Sequence, residues 1–476
     1  MLQYKKSQVK NICCLGAGYV GGPTMAVIAN NCRHLKVNVV DISEERIKLW
    51  NSEDLGDIPV YEPGLIEILE KTRNVNLFFT NELENSIKEA DMIFISVNTP
   101  TKVEGFGAGF ATDLKWIESS ARKIAEYSKG HTIVVEKSTV PVKTAKLIET
   151  ILIANKKIIP NEPQKTFSIL SSPEFLSEGT AIEDLENPDR VLIGGDDDNA
   201  IRELKMIYKY WINEEKILVT NLWSSELSKL SANAFLAQRI SSINSISSLC
   251  EVTGAKINEI ANSIGLDKRI GPRFLSAGPG FGGSCFQKDI LSLVYLCRYY
   301  GLVEVADYWE QVITLNKWQR KRISGLIVDK LFNTVSQKKI LILGFSYKPN
   351  TNDTRESSSI FIAKDLLSNG AKLLIHDPQV SASQIENVFD LKEGDFYSKK
   401  SEGQWEYCID IEKNSIDADA IVILTEWNEY KKLDWAYISS VMRKPAWVFD
   451  TRSVLESEVL IKLGINLWQI GNGFSI

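Results

Sequence analysis

The sequence predicts an α/β protein built from two doubly wound parallel sheets joined by a central helical region with one long helix. Three observations carry this expectation. Short apolar runs that end in polar or glycine-rich turns alternate with helix-compatible stretches from about residue 9 onward, and the same alternation restarts near residue 338. Between the two series, Ser224 to Thr253 has neither proline nor glycine and carries apolar residues at helical spacing, which predicts a helix about 45 Å long. The chain has 476 residues, more than one hydrophobic core ordinarily serves. The expected division is residues 1–222, 223–333 and 334–476.

In the first region, Val9 to Leu15 reads as a buried strand running into Gly16-Ala17-Gly18-Tyr19-Val20-Gly21, followed by a helix through about Asn30. This is a G-x-G-x-x-G string between strand and helix. Its first glycine allows the tight turn, its second lets backbone approach a pyrophosphate, and its third lets helix and strand pack closely. The helix start then receives the anion. The next strand, Lys36 to Val40, ends on Asp41, twenty residues past Gly21, where a carboxylate accepts from both ribose hydroxyls and repels a 2′-phosphate. The expected cofactor is NAD rather than NADP, and the domain is Rossmann-like.

Further strands are expected at Met92 to Val97, before Asn98-Thr99-Pro100-Thr101, and at Thr132 to Glu136, before Lys137-Ser138-Thr139. Polar residues just past the carboxyl ends of parallel strands line ligand clefts in such sheets, although the same residue types also favour ordinary turns. A strand at Phe167 to Ser171 precedes Ser172-Pro173-Glu174-Phe175-Leu176-Ser177-Glu178-Gly179, which places two carboxylates four residues apart.

The net charge of −6, with Lys and Arg scattered along the chain, gives no footprint for nucleic acid or an anionic membrane. Lys5, Lys6 and Lys10 precede an apolar stretch broken by Gly16, Gly18, Gly21 and Gly22, which suits neither a signal peptide nor a transmembrane helix; a cytoplasmic protein is expected. Seven cysteines without a C-x-x-C pair predict no disulfide framework and no structural zinc. Three histidines (His34, His131, His376) show no metal-ligand or triad spacing, so no bound metal and no histidine-centred catalysis are expected.

In the central region Lys229 and Asn233 stand at i and i+4 of the long helix and share a face. A second helical region is expected over Glu304 to Phe332. Between the two lies Gly278-Pro279-Gly280-Phe281-Gly282-Gly283-Ser284-Cys285-Phe286-Gln287-Lys288-Asp289, with four glycines in six residues. Ser284-x-x-Gln287 fits a capping box, the apolar run from Ile290 to Cys297 predicts a helix, and Gly301 supplies its stop. Cys285 is then expected in the first turn, where the helix start favours thiolate, with Asp289 one turn along the same face. The alternative is a structural thiol after an ordinary glycine turn.

In the third region strands are expected at Lys339 to Leu343, Lys372 to His376, Ala420 to Leu424 and Ala446 to Phe449. No three-glycine string accompanies them. Lys348, Arg355 and Arg452 at strand ends suit phosphate or a diphosphate nucleotide. Glu386 to Lys413, polar and aperiodic, is expected to be a mobile loop.

Taken together, Gly-Ala-Gly-Tyr-Val-Gly-Gly-Pro-Thr, Ser-Pro-Glu-Phe-Leu-Ser-Glu-Gly, Gly-Phe-Gly-Gly-Ser-Cys-Phe-Gln-Lys-Asp and Lys-Pro-Asn-Thr-Asn-Asp-Thr-Arg-Glu-Ser resemble the UDP-glucose/GDP-mannose dehydrogenase family. The likeness runs from about Lys10 to about Gly471 and is greatest to members that act on UDP-glucose. It implies oxidation of the sugar C6 hydroxymethyl to a carboxylate, UDP-glucose to UDP-glucuronate, with two NAD reduced in succession. It also implies an N-terminal NAD domain, a central dimerisation region and a C-terminal UDP-binding domain, in a homodimer or a larger homo-oligomer of dimers.

The resemblance assigns roles residue by residue. Cys285 becomes the nucleophile that forms a thiohemiacetal and then a thioester. Lys229 and Asn233 stabilise negative oxygen. Asp289 assists proton removal through a water, and Thr139 and Glu174 serve that water and thioester hydrolysis; which of them is the base at each step stays open. NAD contacts are implied for Gly16, Gly18, Tyr19, Val20, Gly21, Asp41, Arg46, Val97 to Thr101, Ser138, Thr139, Glu178, Cys285, Lys288 and Arg355. Substrate contacts are implied for Glu174, Phe175, Leu176, Ser177, Glu178, Lys229, Asn233, Arg269, Phe274, Ser276, Gly280, Phe281, Gly282, Tyr347, Lys348 and Arg452. An arginine of the third region touching NAD implies nucleotide domains that face each other and close.

Relative to the animal members, Ser276 and Pro349 each stand where a lysine is found, which alters pocket charge, and the sequence stops soon after Gly473 without their basic tail. Two other readings remain: a sister dehydrogenase of UDP-N-acetylmannosamine or GDP-mannose, and a non-catalytic nucleotide sensor, against which the intact Cys285, Lys229, Asn233 and Asp289 argue.

Overall fold

The computed structural model describes residues 8–154, 164–398 and 402–473; Lys5 and Lys6 lie outside them. The chain forms two compact units, one of residues 1–232 and 291–301, the other of 233–290 and 302–476.

The first unit begins with β1 (Asn11–Leu15), α1 (Gly21–Asn31), β2 (Lys36–Val40), α2 (Glu44–Trp50), α3 (Leu65–Thr72), β3 (Leu77–Thr80), α4 (Leu83–Glu89) and β4 (Met92–Ile95). It continues with α5 (Lys115–Tyr127), β5 (His131–Glu136), α6 (Thr144–Ala154), β6 (Thr166–Ser171), α7 (Ala181–Glu186), β7 (Val191–Gly195), α8 (Asp198–Tyr208) and β8 (Ile217–Thr220). The sheet order is β3-β2-β1-β4-β5-β6-β7-β8. Its first six strands have the doubly wound order of dinucleotide-binding domains, with the topological switch between β1 and β4. One departure from an all-parallel sheet is the antiparallel pairing of β6 with β7. The strands β3, β7 and β8 were not read from sequence; β3 and β8 are edge strands of only four residues.

Alternation explains the two-sided core. Along β1, Ile12 and Cys14 join one apolar cluster while Cys13 and Leu15 join another, on the opposite face of the sheet. Trp50, completely buried, stacks on Phe79 with ring centroids 4.4 Å apart and donates from Nε1 to the Ala17 carbonyl at 2.9 Å. The glycine string is thereby tied directly to the core.

The long helix α9 (Leu222–Thr253) runs from one unit into the other and spans 32 residues, close to the expected range. Then follow α10 (Ile257–Gly265), α11 (Phe286–Tyr299) and α12 (Val303–Lys330). The second unit continues with β9 (Lys339–Leu343), α13 (Ser358–Ser368), β10 (Lys372–His376), α14 (Ala382–Phe389), β11 (Gln404–Tyr407), α15 (Ile411–Asn414), β12 (Ala420–Ile423), α16 (Trp435–Val441), β13 (Trp447–Asp450), α17 (Ser457–Lys462) and β14 (Asn466–Gln469). Its sheet order, β11-β10-β9-β12-β13-β14, repeats the doubly wound pattern, and all its pairings are parallel. Ile340 and Ile342 of β9 face one cluster, Leu341 and Leu343 the other.

Two local expectations are corrected. Glu386 to Lys413 is not one loop: it contains the end of α14, edge strand β11 and α15, with residues 399–401 outside the described set. Only Trp405 of β11 is fully buried, so a four-residue edge strand leaves almost no periodic signal, and its parallel pairing with β10 supplies the order. The capping box at Ser284 does not form. Helix α11 starts at Phe286, and Gln287 Oε1 is buried without a hydrogen-bond partner.

Trp50→Ala should destabilise the protein by about 3–5 kcal/mol, because it empties a fully buried ring site and frees the Ala17 carbonyl. Chemical denaturation followed by tryptophan fluorescence measures this; a loss below about 1 kcal/mol would show that the site collapses without cost.

Candidate active site

In the first unit the carboxyl ends of β1, β2, β4 and β5 meet. The chain leaves β1 through Gly16 at φ +107°, where a Cβ would strike the Ser96 carbonyl oxygen, so the turn requires glycine. At Gly18 nothing lies within 4 Å of where a Cβ would stand, and the backbone there is open. After Tyr19 and Val20, α1 begins at Gly21 with no side-chain cap. Its leading N–H groups and positive dipole end suit an anion.

Asp41, 8% exposed, accepts from Ala17 N–H through Oδ2 and from Ser43 N–H through Oδ1, both at 2.9 Å, and Arg46 Nη1 pairs with Oδ2 at 3.1 Å. Oδ1 retains a further acceptor site, whereas Oδ2 already accepts from both Ala17 and Arg46. An open glycine backbone, a helix start without a side-chain cap and a strand-end acid fit NAD.

The next two loops are bonded into one wall. Ser138 Oγ donates to the Val97 carbonyl at 2.7 Å and Thr99 Oγ1 to the Thr139 carbonyl at 2.9 Å. Asn98 is exposed, Pro100 accepts from Asp113 N–H at 2.7 Å, and Thr101 bridges to Thr112.

Behind this wall lies a set of buried charges. Lys137 Nζ pairs with Glu174 Oε2 at 2.9 Å and lies 3.3 Å from the Tyr208 hydroxyl. Burial by itself pushes the Lys137 ammonium down, but Glu174 and Tyr208 outweigh it and hold the group above its ordinary range. Glu174 Oε1 accepts from Phe175 and Leu176 N–H. Ser177 N–H donates to Asp184, and Glu62 accepts from Gly179 and Ala181, which fixes the turn carrying Glu178. The Phe175 ring has Arg190 4.0 Å and Lys229 Nζ 5.3 Å from its centroid, so Lys229 joins this cluster.

Glu136, next to Lys137 on β5, points the other way and is 1% exposed. Neither of its oxygens finds an N–H or hydroxyl donor, and its neighbour is the Glu226 carboxylate on α9. Glu226 accepts from Lys143 N–H at 2.6 Å and Ala145 N–H at 2.7 Å. Burial first, then the Glu226 carboxylate, push the Glu136 carboxyl well above the ordinary carboxylate range.

The second unit assembles the glycine-rich loop with Cys285. Among the seven cysteines only Cys285 is exposed. It stands one residue before α11, not inside its first turn, with Ser284 Oγ 3.4 Å from its sulfur. Its carbonyl accepts from Asp289 N–H, which sets Asp289 one turn away. Asp289, 1% exposed, accepts from Asn233 Nδ2 through Oδ2 at 2.6 Å, and Lys288 Nζ is 3.6 Å from Oδ1.

The loop itself is pinned by its backbone. Asn244 Oδ1 accepts from Gly278 N–H, Gln319 Nε2 donates to the Gly278 carbonyl, and Asn316 bonds both the N–H and the carbonyl of Phe281. Gly280 has φ +120°, and a Cβ there would stand 2.6 Å from Asn316 Oδ1. Tyr347 lies against Gly282 and Gly283, and Gly283 N–H donates to the Arg355 carbonyl. These pins set the path into α11, which is why the local capping signal is overridden. Phe281 and Phe274 both meet Phe286 edge-on, and Ser276 is exposed.

Arg452 donates to the Leu424 carbonyl, pairs with Glu426 at 3.1 Å, and has Nη1 beside Gly278, so it adjoins this loop together with Tyr347. Lys348 Nζ lies 5.5 Å from the Tyr347 ring centroid, and the Arg355 guanidinium is held by Asp353. Arg269 is not gathered in: its side chain is 90% exposed and bonds Asp267 at 2.6 Å. Sequence reasoning missed Lys137, Glu136, Glu226, Asn244, Asn316 and Gln319. A lysine directly before Ser138-Thr139 was a usable signal; the others act over long sequence separations and left none.

Residues 10–212, 223–318 and 341–457 match, in turn, the NAD binding, central and UDP binding domains of the UDP-glucose/GDP-mannose dehydrogenase family. The chain is 53% identical to UDP-glucose 6-dehydrogenase of Mus musculus, over 98% of this chain and 94% of that protein. It is also 53% identical to UDP-glucose 6-dehydrogenase 3 of Arabidopsis thaliana, over 97% and 96%. Among solved structures, a UDP-glucose dehydrogenase from Pyrobaculum islandicum superposes with a TM-score of 0.82 at 28% identity, covering 99% of each chain.

Because Glu136 binds its proton more tightly folded than unfolded, it withdraws stability as pH rises above the carboxylate range, by up to about 1.4 kcal/mol per pH unit until its folded pKa is reached. Glu136→Gln keeps a donor toward Glu226 without this liability. The variant should gain on the parent as pH rises above the carboxylate range in urea denaturation; a pH-independent difference would show that folding leaves the proton affinity of Glu136 unchanged.

Proposed function

This chain belongs to the UDP-glucose/GDP-mannose dehydrogenase family and is an NAD-dependent dehydrogenase, and we propose that it oxidises UDP-glucose to UDP-glucuronate in two steps through a covalent Cys285 intermediate. The observation that carries the mechanism is the exposed Cys285 at the start of α11, one turn from a buried Asp289 that accepts a 2.6 Å hydrogen bond from Asn233.

In this reading residues 1–222 hold NAD, 334–476 hold the UDP moiety, and 223–333 supply the reacting side chains. The strand ends around Gly16, Asp41 and Ser138 would hold NAD, with Glu178, Lys288 and Arg355 as further contacts, and NAD bound there would supply the hydride acceptor for each oxidation. Lys348, Arg452 and the backbone of Gly280 to Gly282 bind the UDP-sugar, with Arg269 contributing from its exposed position. Lys229 and Asn233 direct donors at the C6 oxygen and stabilise it as alkoxide, then as tetrahedral oxyanion. Asp289, oriented by Asn233, accepts the hydroxyl proton through a water.

The aldehyde carbon is attacked by Cys285 Sγ, and loss of a second hydride from that thiohemiacetal leaves a thioester. Water then adds to the thioester carbon and the C–S bond breaks, which returns the thiol and releases the carboxylate. Glu174, held beside Lys137, and Thr139 serve this water. The balance is one UDP-glucose, two NAD and one water for each UDP-glucuronate.

The central region exposes Phe235, Leu249 and Val252 of α9 and Leu266 just past α10 at 59, 56, 80 and 85%. Apolar surface of this kind suits a copy of the same chain, and a homodimer or an oligomer of dimers is the assembly proposed.

NADH production with a panel of nucleotide sugars should favour UDP-glucose over UDP-N-acetylmannosamine and GDP-mannose and yield two NADH per UDP-glucuronate; silence on UDP-glucose sinks the substrate assignment. Cys285→Ser should lose net turnover, and Lys229→Ala should lower kcat about 100- to 1,000-fold. An unchanged steady-state rate in Cys285→Ser refutes the covalent step. Light scattering should give at least the mass of a dimer, and a monomer at micromolar concentration refutes the assembly.

A further inference from the structure

A groove of about 340 Å³ runs between α12 and α13, and its lining is strongly cationic. Lys317, Arg320 and Lys321 project from one stripe of α12, at spacings of three and four, and Lys364 and Phe361 from the facing stripe of α13. The lining carries a single carboxylate, Asp365, which already accepts a short hydrogen bond from Ser324. No carboxylate pairs with the ammonium of Lys317, Lys321 or Lys364 among the described residues. Lysines at i and i+4 repel each other and weaken the helix that carries them, so Lys317 and Lys321 break a local rule with no compensating contact.

Arg320 links this groove to the glycine-rich loop. It is 4% exposed; Nη2 donates to the Phe281 carbonyl at 2.6 Å and to the Glu356 carbonyl at 2.8 Å, and Nε donates to Ser358 Oγ. Its remaining nitrogen, Nη1, is buried and makes no hydrogen bond, with Glu356 Oε2 no nearer than 3.7 Å. Ser358 Oγ in turn donates to the Gly280 carbonyl at 3.2 Å. One guanidinium therefore lines the groove and holds the backbone that precedes Cys285.

We propose that the α12–α13 groove is a second anion site, for a diphosphate group, coupled to the glycine-rich loop through Arg320. Three unpaired ammoniums around one cavity focus positive potential where a compact polyanion satisfies several of them at once. The volume suits a small ligand rather than a protein segment. The Phe361 ring, with Arg320 4.1 Å from its centroid and 43% of its surface exposed, offers a face to a nucleobase. An anion that draws on Arg320 changes the charge balance at a group bonded to Phe281, so its occupancy alters how the loop receives the sugar nucleotide, and by linkage the sugar nucleotide alters anion affinity.

The test uses the full-length enzyme saturated with UDP, so that the substrate's own diphosphate site is filled, titrated calorimetrically with inorganic pyrophosphate. One further site per chain is expected. Lys321→Ala/Lys364→Ala, which touches none of the loop's pins, should weaken it at least about tenfold, with kcat and Tm unchanged in the absence of pyrophosphate. The arginine pair, Lys321→Arg/Lys364→Arg, should retain binding. Absence of binding in the parent, or equal binding in the alanine variant, overturns the proposal. Pyrophosphate should also shift the KM for UDP-glucose in the parent and not in the alanine variant; a shift that persists in the variant assigns the anion to the substrate site and equally overturns it. ADP that binds more tightly than pyrophosphate, with the margin lost in Phe361→Ala, identifies the ligand as a nucleotide; equal affinity identifies the free diphosphate.

Discussion

The constraint on which the second unit depends is that a loop made largely of glycine has almost no side chains with which to hold itself. Residues 278–283 are fixed by buried polar side chains reaching in from α9, α12 and the start of α13: Asn244, Asn316, Gln319, Arg320 and Ser358. Each is costly to bury alone and is stable only because a backbone group of the loop answers it. The glycines and the polar helix faces therefore imply each other. Gly280 cannot carry a Cβ because Asn316 occupies that space, and Asn316 can be buried because Phe281 offers it both a donor and an acceptor.

In the first unit the corresponding device is charge at a strand end. Glu136, the last residue of β5, and Lys137, just past it, point to opposite faces, and both are buried ionisable groups. Lys137 holds Glu174 in an ion pair, whereas Glu136 faces the Glu226 carboxylate of α9, which together with burial raises its affinity for a proton. The loop that starts at Ser138 is thus anchored from two sides, to the Glu174 turn and to the helix that bears Lys229. Ion pairs buried to this degree add little net stability over apolar packing, but losing one partner strands the other, so they specify position more than they add stability.

Much of this was legible in one sequence wherever chemistry is local. The fingerprint at Gly16 to Gly21, the acid at Asp41 and most strands that end in functional loops followed from short-range rules, because a tight turn, an open helix start and a buried strand each leave a pattern within a few residues. The reading failed where a local signal competed with distant partners. Ser284 and Gln287 match a capping box, yet Gly283 is bonded to the Arg355 carbonyl and covered by Tyr347, and the chain enters α11 by a different path. It failed also where an element is short: β11 owes its existence to pairing with β10, and one buried tryptophan in four residues carries no period.

The sequence by itself determined the fold class and the preference for NAD, because local patterns of residue type and spacing suffice for those, and its resemblance to a known family singled out Cys285, Lys229, Asn233 and Asp289 as candidate reacting groups. Only the tertiary structure decided that Cys285 alone of seven cysteines is exposed, that Asn233 is bonded to Asp289, and that Asn316 and Arg320 hold the loop in front of the thiol. The reason is physical. Burial and hydrogen-bond partnership belong to pairs of residues, here 35 to 56 positions apart, and no single stretch of chain encodes a pair.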